Sequence, residues 1–279
     1  DRGVLNSTPI IQDLVQKNLA RTFELYENQK DNLKELVCNR IVGFDERFIL
    51  IVNAILEKFP NINKVYIKGC GISEKEIDMI NFKATNVKYD TLDFSENQIT
   101  SLENFERGLY ADKVILRKNP LLEFRENDYQ INFFYLDLSH NEFPNEKIKR
   151  FSNCFNSSNI QLLNLSYYAI EEDVALFLGE CLFSLKNLKI LYLNSIKFEK
   201  NSLEILSKSN FERNKLKLLE LYFNNNDFSH SNLESLMTNM VGHSPDLLKL
   251  EMKNSKITLD DIKVIADKIK GNDSFEIFR

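Results

Sequence analysis

Residues 133–143 read Phe-Phe-Tyr-Leu-Asp-Leu-Ser-His-Asn-Glu-Phe, placing Phe133, Leu136, Leu138, Asn141 and Phe143 at the first, fourth, sixth, ninth and eleventh places of one short stretch. The same spacing recurs upstream from Ile62 (Val65, Ile67, Cys70, Ile72), from Tyr89 (Leu92, Phe94, Asn97, Ile99) and from Ala111 (Val114, Leu116, Asn119, Leu121). Downstream it recurs from Ile160 (Leu163, Leu165, Tyr168, Ile170), Leu188 (Leu191, Leu193, Ile196, Phe198), Leu218 (Leu221, Phe223, Asn226, Phe228) and Leu247 (Leu250, Met252, Ser255, Ile257). A degenerate copy starts at Leu33, with Leu36 and Cys38. With 43% hydrophobic residues, one such match arises by accident, but eight in a row do not. A unit repeated in this way cannot bury its apolar face alone and does so by stacking on its neighbours.

Side chains alternate across a strand, so the fourth and sixth residues point into a core while the fifth and seventh point out. Parallel pairing of neighbouring copies then makes one continuous sheet. The ninth residue sits where the chain leaves the strand, and the buried backbone groups there need partners. Asparagine supplies two donors and an acceptor, as Asn97, Asn119, Asn141 and Asn226 are placed to do, with Cys70 as an alternative. Tyr168, Ile196 and Ser255 depart from this rule, which predicts a broken asparagine ladder and irregular turns around 165–200.

Between successive fourth positions (36, 65, 92, 114, 136, 163, 191, 221, 250) the steps are 29, 27, 22, 22, 27, 28, 30 and 29 residues. The longer steps hold a strand, a turn and a helix of two to three turns, whereas 22 residues leave room for little more than an extended return. Helix signals fall in the long copies. Ser73 with Glu76 and Ser231 with Glu234 form capping-box patterns, and Thr258 with Asp261 a looser one. Leu233, Leu236, Met237, Met240 and Val241 follow at helical spacing, as do Val174, Phe177, Leu178, Cys181 and Leu182. Helices are wider than strands, so stronger curvature is expected at both ends and a flatter middle. Ser7-Thr8-Pro9 and the apolar residues from Ile11 to Tyr26 read as a helical cap over 1–32. The repeats occupy 33–270. Phe275, Ile277 and Phe278 within 271–279 start a further strand, and sequence is expected both upstream of Asp1 and beyond Arg279.

With these residues in place, the chain resembles a leucine-rich-repeat protein over nearly all its length. The long copies resemble the ribonuclease-inhibitor-like subclass and the 22-residue copies the short bacterial type. The resemblance implies an α/β solenoid shaped as a curved horseshoe, with parallel strands on the concave face, helices on the convex face and short helix-poor repeats in the middle. It also implies protein–protein binding on the concave face. The bias toward Asn, Lys, Ile and Phe, without Trp, resembles AT-rich genomes, and within the family the effectors of intracellular bacterial pathogens. Protozoan proteins share that bias.

A net charge of -5 and a pI near 5.5 give no basic footprint for nucleic acid or an anionic membrane surface. No apolar run approaches the ~18 residues that span a bilayer. Cys38, Cys70, Cys154 and Cys181 are spread along the solenoid instead of clustering in terminal caps, so they read as reduced core residues of a reducing compartment. The sequons at Asn6, Asn156, Asn164 and Asn272 point the other way and are what an Asn- and Ser-rich chain produces by chance. The expected location is cytoplasmic, or the cytosol of a host cell after secretion, and the expected state a monomer.

Function should lie in the outward residues that the repeat does not dictate. The fifth positions read Val37, Tyr66, Asp93, Ile115, Asp137, Asn164, Tyr192, Tyr222 and Glu251, and the seventh include Arg117, Asn194 and Asn224. Tyr and Arg are enriched in binding hot spots because they bury a large area and keep a polar tip. Two partner-binding patches are therefore expected. One is Tyr167, Tyr192 and Tyr222 with Asn194 and Asn224 beside them; the other is Asp93, Arg117, Asp137 and His140, with Tyr66 and Tyr135 completing the face. The plainer reading of the tyrosines is that they stack on one another as good strand formers.

Catalysis has little to stand on. His140, His230 and His243 have no metal-ligand spacing, and no cofactor is expected. Asp93 and Asp137 are two strands apart, roughly 10 Å, with nothing to form a sugar cleft. Eight glycines include no phosphate-binding loop. The chain reads as a non-enzymatic binding scaffold. The alternatives are the substrate-recruiting part of a longer enzyme such as a ubiquitin ligase, and a GTPase regulator acting through exit residues such as Arg40 and Lys118.

Overall fold

The computed structural model describes residues 32–82, 88–101, 111–121, 133–141, 159–199, 201–208, 217–228, 233–268 and 276–278. Ten strands form one parallel sheet: β1 (Glu35–Asn39), β2 (Lys64–Lys68), β3 (Tyr89–Asp93), β4 (Ala111–Ile115), β5 (Tyr135–Asp137), β6 (Leu162–Asn164), β8 (Ile190–Tyr192), β10 (Glu220–Tyr222), β11 (Lys249–Glu251) and β12 (Glu276–Phe278). Each pairs with the strands of the copies before and after it. The last confirms the strand expected near the C-terminus. Short β7 (Ala169–Ile170) and β9 (Lys197–Phe198) pair separately at the tenth and eleventh places of their copies.

The register is the one the spacing demands. Leu36, Val65, Leu92, Val114, Leu136, Leu163, Leu191, Leu221, Leu250 and Ile277 align as one row, and the fifth-position row from Val37 to Glu251 runs alongside it. The fourth- and sixth-position residues from Val65 to Leu250 are almost wholly buried, together with the ninth-position asparagines.

Helices back the long copies. α1 (Glu46–Lys58) is capped by Asp45, whose carboxylate accepts from the Arg47 and Phe48 amides, and it turns Ile49, Val52 and Leu56 inward. α2 (Glu74–Met79) starts with the predicted capping box, the Ser73 amide donating to Glu76 at 2.8 Å. α3 (Glu172–Ser184) buries Val174, Ala175, Leu178, Cys181 and Leu182. α4 (Ser202–Lys208) packs between α3 and α5 (Leu233–Leu236). The apolar stripe from Leu233 to Val241 is buried as its spacing predicts, but it widens into a π-helical turn over Met237–Val241. α6 (Leu259–Lys268) begins with the looser Thr258–Asp261 box, in which each backbone amide donates to the other side chain. The N-terminal cap, apart from residue 32, Ser231, and the return segments of the two short copies (102–110 and 122–132) lie outside the described residues.

The ninth-position ladder explains the strand exits. The carbonyls of the sixth residues Cys38, Ile67, Phe94, Leu116, Leu138, Leu193 and Phe223 are served by ninth-position side chains instead of by the sheet ladder. The Leu116 carbonyl accepts from Asn119 and Asn141, both at 3.0 Å, and the Phe94 carbonyl from Asn97 and Asn119. Cys70 repeats the pattern with its thiol, donating to the Cys38 carbonyl at 3.2 Å. Of the two ninth positions within 165–200, where the ladder is expected to break, Tyr168 maintains it and Ile196 does not. The Tyr168 hydroxyl donates to the Leu138 carbonyl at 2.8 Å, and the Ser255 hydroxyl to the Phe223 carbonyl at 2.7 Å. Any side chain that brings an O–H or N–H to the same point serves. Ile196 has neither group, although its amide still donates to Asn226 as the Cys70 amide does to Asn97.

One regularity has almost no signature in the sequence. The eighth residue of every copy adopts a left-handed backbone: Arg40, Gly69, Glu96, Lys118, His140, Tyr167, Ser195, Asn225 and Asn254 all have φ between 52° and 66°. Only one of the nine is glycine, the residue that normally marks this conformation.

Candidate functional site

The strand face presents the third, fifth and seventh positions, with the eighth along its exit rim. All eleven residues expected to contact a partner lie on these rows, but the structure groups them differently from the expectation and removes some of them from solvent.

Asp93 and Asp137, expected in the central polar patch, face outward yet are only 4% and 8% exposed. Asp93 accepts from the Ser95 amide at 3.0 Å and pairs with Lys68 at 3.3 Å. Asp137 accepts from the Ser139 amide at 2.9 Å, from Tyr135 and from Asn164, both at 3.2 Å. Asn164 does the same for the Ser166 amide at 3.1 Å. A short carboxylate or amide at the fifth position thus caps the amide two residues on and folds the exit turn. These aspartates hold the scaffold. Tyr135 is also largely committed, with its hydroxyl on Asp137 and the Lys113 ammonium 4.4 Å from its ring centre; burial, then the neighbouring Asp137, holds the phenol well above its usual range.

Asn194 and Asn224 form a second ladder at the seventh position. The Asn194 oxygen accepts from the Asn224 amide at 2.8 Å and the Asn224 oxygen from the Lys253 amide at 2.7 Å. The Asn224 NH2 donates to Glu251 at 2.8 Å. Burial pushes the Glu251 carboxyl up, but hydrogen bonds from Asn224, Lys249 and Lys253 outweigh it and hold its pKa below the ordinary value.

Tyr192 and Tyr222 are paired in register on adjacent strands, their rings stacked with centres 4.4 Å apart and 18° between planes. The Tyr222 hydroxyl donates to Glu220 and accepts from Lys249 at 3.1 Å. Burial and then the Glu220 contact push it up to about 12. Tyr167, expected with this pair, stacks instead on His140, at 3.7 Å between centres and 16° between planes. Both residues occupy the eighth position, and their shared left-handed backbone aims the rings along the rim. Arg117 completes this second group, its guanidinium 3.1 Å from His140 Nε2. Tyr66 is half-buried in β2, in register with Asp93, apart from both groups.

The strand face also has an apolar component that the repeat spacing does not reveal. Third positions point outward, yet two of them are Leu162 and Ile190, paired in register with each other and flanked by Tyr135 and Glu220. Both are half-buried on the outside of the sheet, next to the Tyr192–Tyr222 stack. At the entries to β5 and β11, Phe134 is 49% and Leu248 44% exposed. The signal for them in the sequence is the aliphatic residue type at the third position, Leu162 and Ile190, where other copies carry Lys64, Thr91, Lys113, Glu220 and Lys249.

Neither a family model nor the sequence of any curated protein matches the chain. Solved structures do resemble it. Internalin C2 from Listeria monocytogenes is 16% identical with a TM-score of 0.43, covering 81% of this chain and 82% of that one. A Leptospira interrogans leucine-rich-repeat protein is 14% identical with a TM-score of 0.34, covering 89% of this chain and 61% of that one. TLR13, in a complex with ssRNA13, is 13% identical with a TM-score of 0.46, and the match covers 81% of this chain but 33% of TLR13. What identifies the fold is internal to the chain: one parallel strand per copy, an in-register sheet, a ninth-position hydrogen-bond ladder and helices behind the long copies make it a leucine-rich-repeat solenoid.

Proposed function

We propose that this chain is a protein-interaction scaffold whose partner docks on the concave strand face of its C-terminal half. The observation that carries this reading is the patch formed by the Tyr192–Tyr222 stack with Leu162 and Ile190 beside it. Stacking alone accounts for two tyrosines on neighbouring strands. It does not account for two aliphatic side chains on the solvent side of the same sheet, where a polar residue would serve the fold equally well. Large aromatic and aliphatic groups rimmed by Asn194, Glu220 and Lys249 have the make-up of an interface centre with a polar rim. The Asn-, Lys-, Ile- and Phe-rich composition and the buried free thiols of Cys38, Cys70 and Cys181 fit a bacterial effector working in a reducing host cytosol.

The test is affinity capture from host-cell lysate with the wild type, with Tyr192→Ala/Tyr222→Ala and with Leu162→Ser/Ile190→Ser. Each variant is first shown to fold by circular dichroism. A specific partner should be lost with both, its Kd rising at least 30-fold for a substitution cost of about 2 kcal/mol. A partner retained unchanged by both folded variants refutes the reading.

A further inference from the structure

We infer that Arg117, His140 and Tyr167 form a receptor on the exit rim for an acidic side chain, an aspartate or glutamate, of the protein partner. The inference rests on the docking face proposed above and adds the chemistry of one contact. The three residues come from consecutive copies, at the seventh, eighth and eighth positions, so the rim brings them side by side.

The Arg117 guanidinium is exposed and has no carboxylate partner among the described residues. Among the described residues its one polar contact is with His140 Nε2. Arginine only donates, so that nitrogen is the acceptor and the imidazole is neutral with its proton on Nδ1. His140 is held in place from its other side by the Tyr167 ring, itself 50% exposed.

Among the described residues, the other charged groups that act on the histidine are Lys118 and Asp137, and both have partners. Lys118 is tied to Glu96 at 3.3 Å, and Glu96 also meets Arg40 at 3.5 Å. Asp137 is turned into its own strand exit by the Ser139 amide, Tyr135 and Asn164. None of these carboxylates compensates Arg117, and burial, then Arg117 and Lys118, depress the His140 pKa. A positive group is therefore pre-oriented on a chain whose net charge is -5.

One guanidinium edge is held by the imidazole, which leaves the remaining N–H donors aimed outward in a planar fork. That fork matches a carboxylate, and the flat half-exposed tyrosine beside it offers a surface for the stem of an acidic side chain. A lysine or arginine from the partner would meet repulsion at the same place.

The experiment is selection from a library of random 12-residue displayed peptides against the folded chain, in parallel with Arg117→Glu and Tyr192→Ala/Tyr222→Ala. Wild type should enrich peptides with Asp or Glu at one fixed position. Arg117→Glu should enrich Lys or Arg there instead, and Arg117→Gln should weaken a wild-type-selected peptide at least tenfold with an unchanged thermal midpoint. Peptides that depend on Tyr192 and Tyr222 but ignore Arg117→Glu would overturn the acidic receptor and leave the docking face standing. Enrichment of nothing by the wild type would overturn both.

Discussion

Removing one member of the ninth-position ladder tests whether side chains, in addition to the sheet, hold the copies together. The choice is Asn97→Ala. Asn97 is buried, donates to the Ile67, Phe94 and Ser95 carbonyls at 2.6, 2.9 and 3.2 Å, and accepts from the Cys70 amide at 2.9 Å. Not all of these groups depend on it. The Phe94 carbonyl keeps Asn119 at 3.0 Å. The Ile67 carbonyl and the Cys70 amide are buried with Asn97 as their close partner, while the Ile72 amide meets the same oxygen at 3.4 Å, too long to count as a full bond. Leaving a buried backbone group unsatisfied costs about 1–3 kcal/mol, so two of them set an expected loss of about 2–6 kcal/mol. Tyr168→Phe, which withdraws a single donor from the Leu138 carbonyl while Asn141 still serves it at 2.7 Å, should cost only about 1 kcal/mol. Urea unfolding followed by circular dichroism measures both, and native-state hydrogen exchange reports the Cys70 amide directly. A loss below about 1 kcal/mol for Asn97→Ala, with Cys70 exchange unchanged, would refute the claim that the ladder carries the exit turns.

Gly69→Ala should destabilise by about 1 kcal/mol, because its φ is 63° and an added Cβ would stand 3.1 Å from the Arg40 side chain. Ser195→Gly, at φ 53°, should instead stabilise by roughly 0.5 kcal/mol, read from the shift in urea midpoint. Burial pushes the Cys38 thiol up to about 11 and raises Cys70 as well, so at pH 8 both should resist iodoacetamide in the native protein and react after denaturation, as mapped by peptide mass spectrometry. In an NMR titration His140 should titrate below the ordinary value of 6.5, and Arg117→Gln should move its midpoint upward. A depressed folded pKa favours the neutral ring in the folded state. Its contribution to stability is therefore complete above pH 6.5 and lost as the pH falls through the lowered value.

The fold was legible because burial on both sides of a strand position is a residue-type constraint. Leu136 and Leu138 announce a core wherever they stand, and a fixed spacing between such pairs sets the register of every strand. The asparagine ladder was legible at Asn97, Asn119, Asn141 and Asn226 for the same reason. It was hidden at Tyr168 and Ser255 because the core asks for a donor at a point in space, which side chains of different length can supply. The candidate site was less readable. A fifth-position aspartate can face solvent or fold back onto the Ser95 or Ser139 amide, and only the turn geometry decides between the two. Strand counting places Tyr167 near Tyr192, whereas its left-handed backbone carries the ring onto His140.

The nine left-handed turns bear on how such a chain can change over time. Glycine would relieve local strain at each of the eight besides Gly69, yet all eight keep a side chain. The rim is therefore a line of positions where a variable chemical group is held on a backbone that does not depend on its identity, as arginine, glutamate, lysine, histidine, tyrosine, serine and asparagine all adopt the same turn. Mutation can rewrite that line one letter at a time without disturbing the sheet behind it. A lineage under pressure to follow a changing partner would be expected to vary there first.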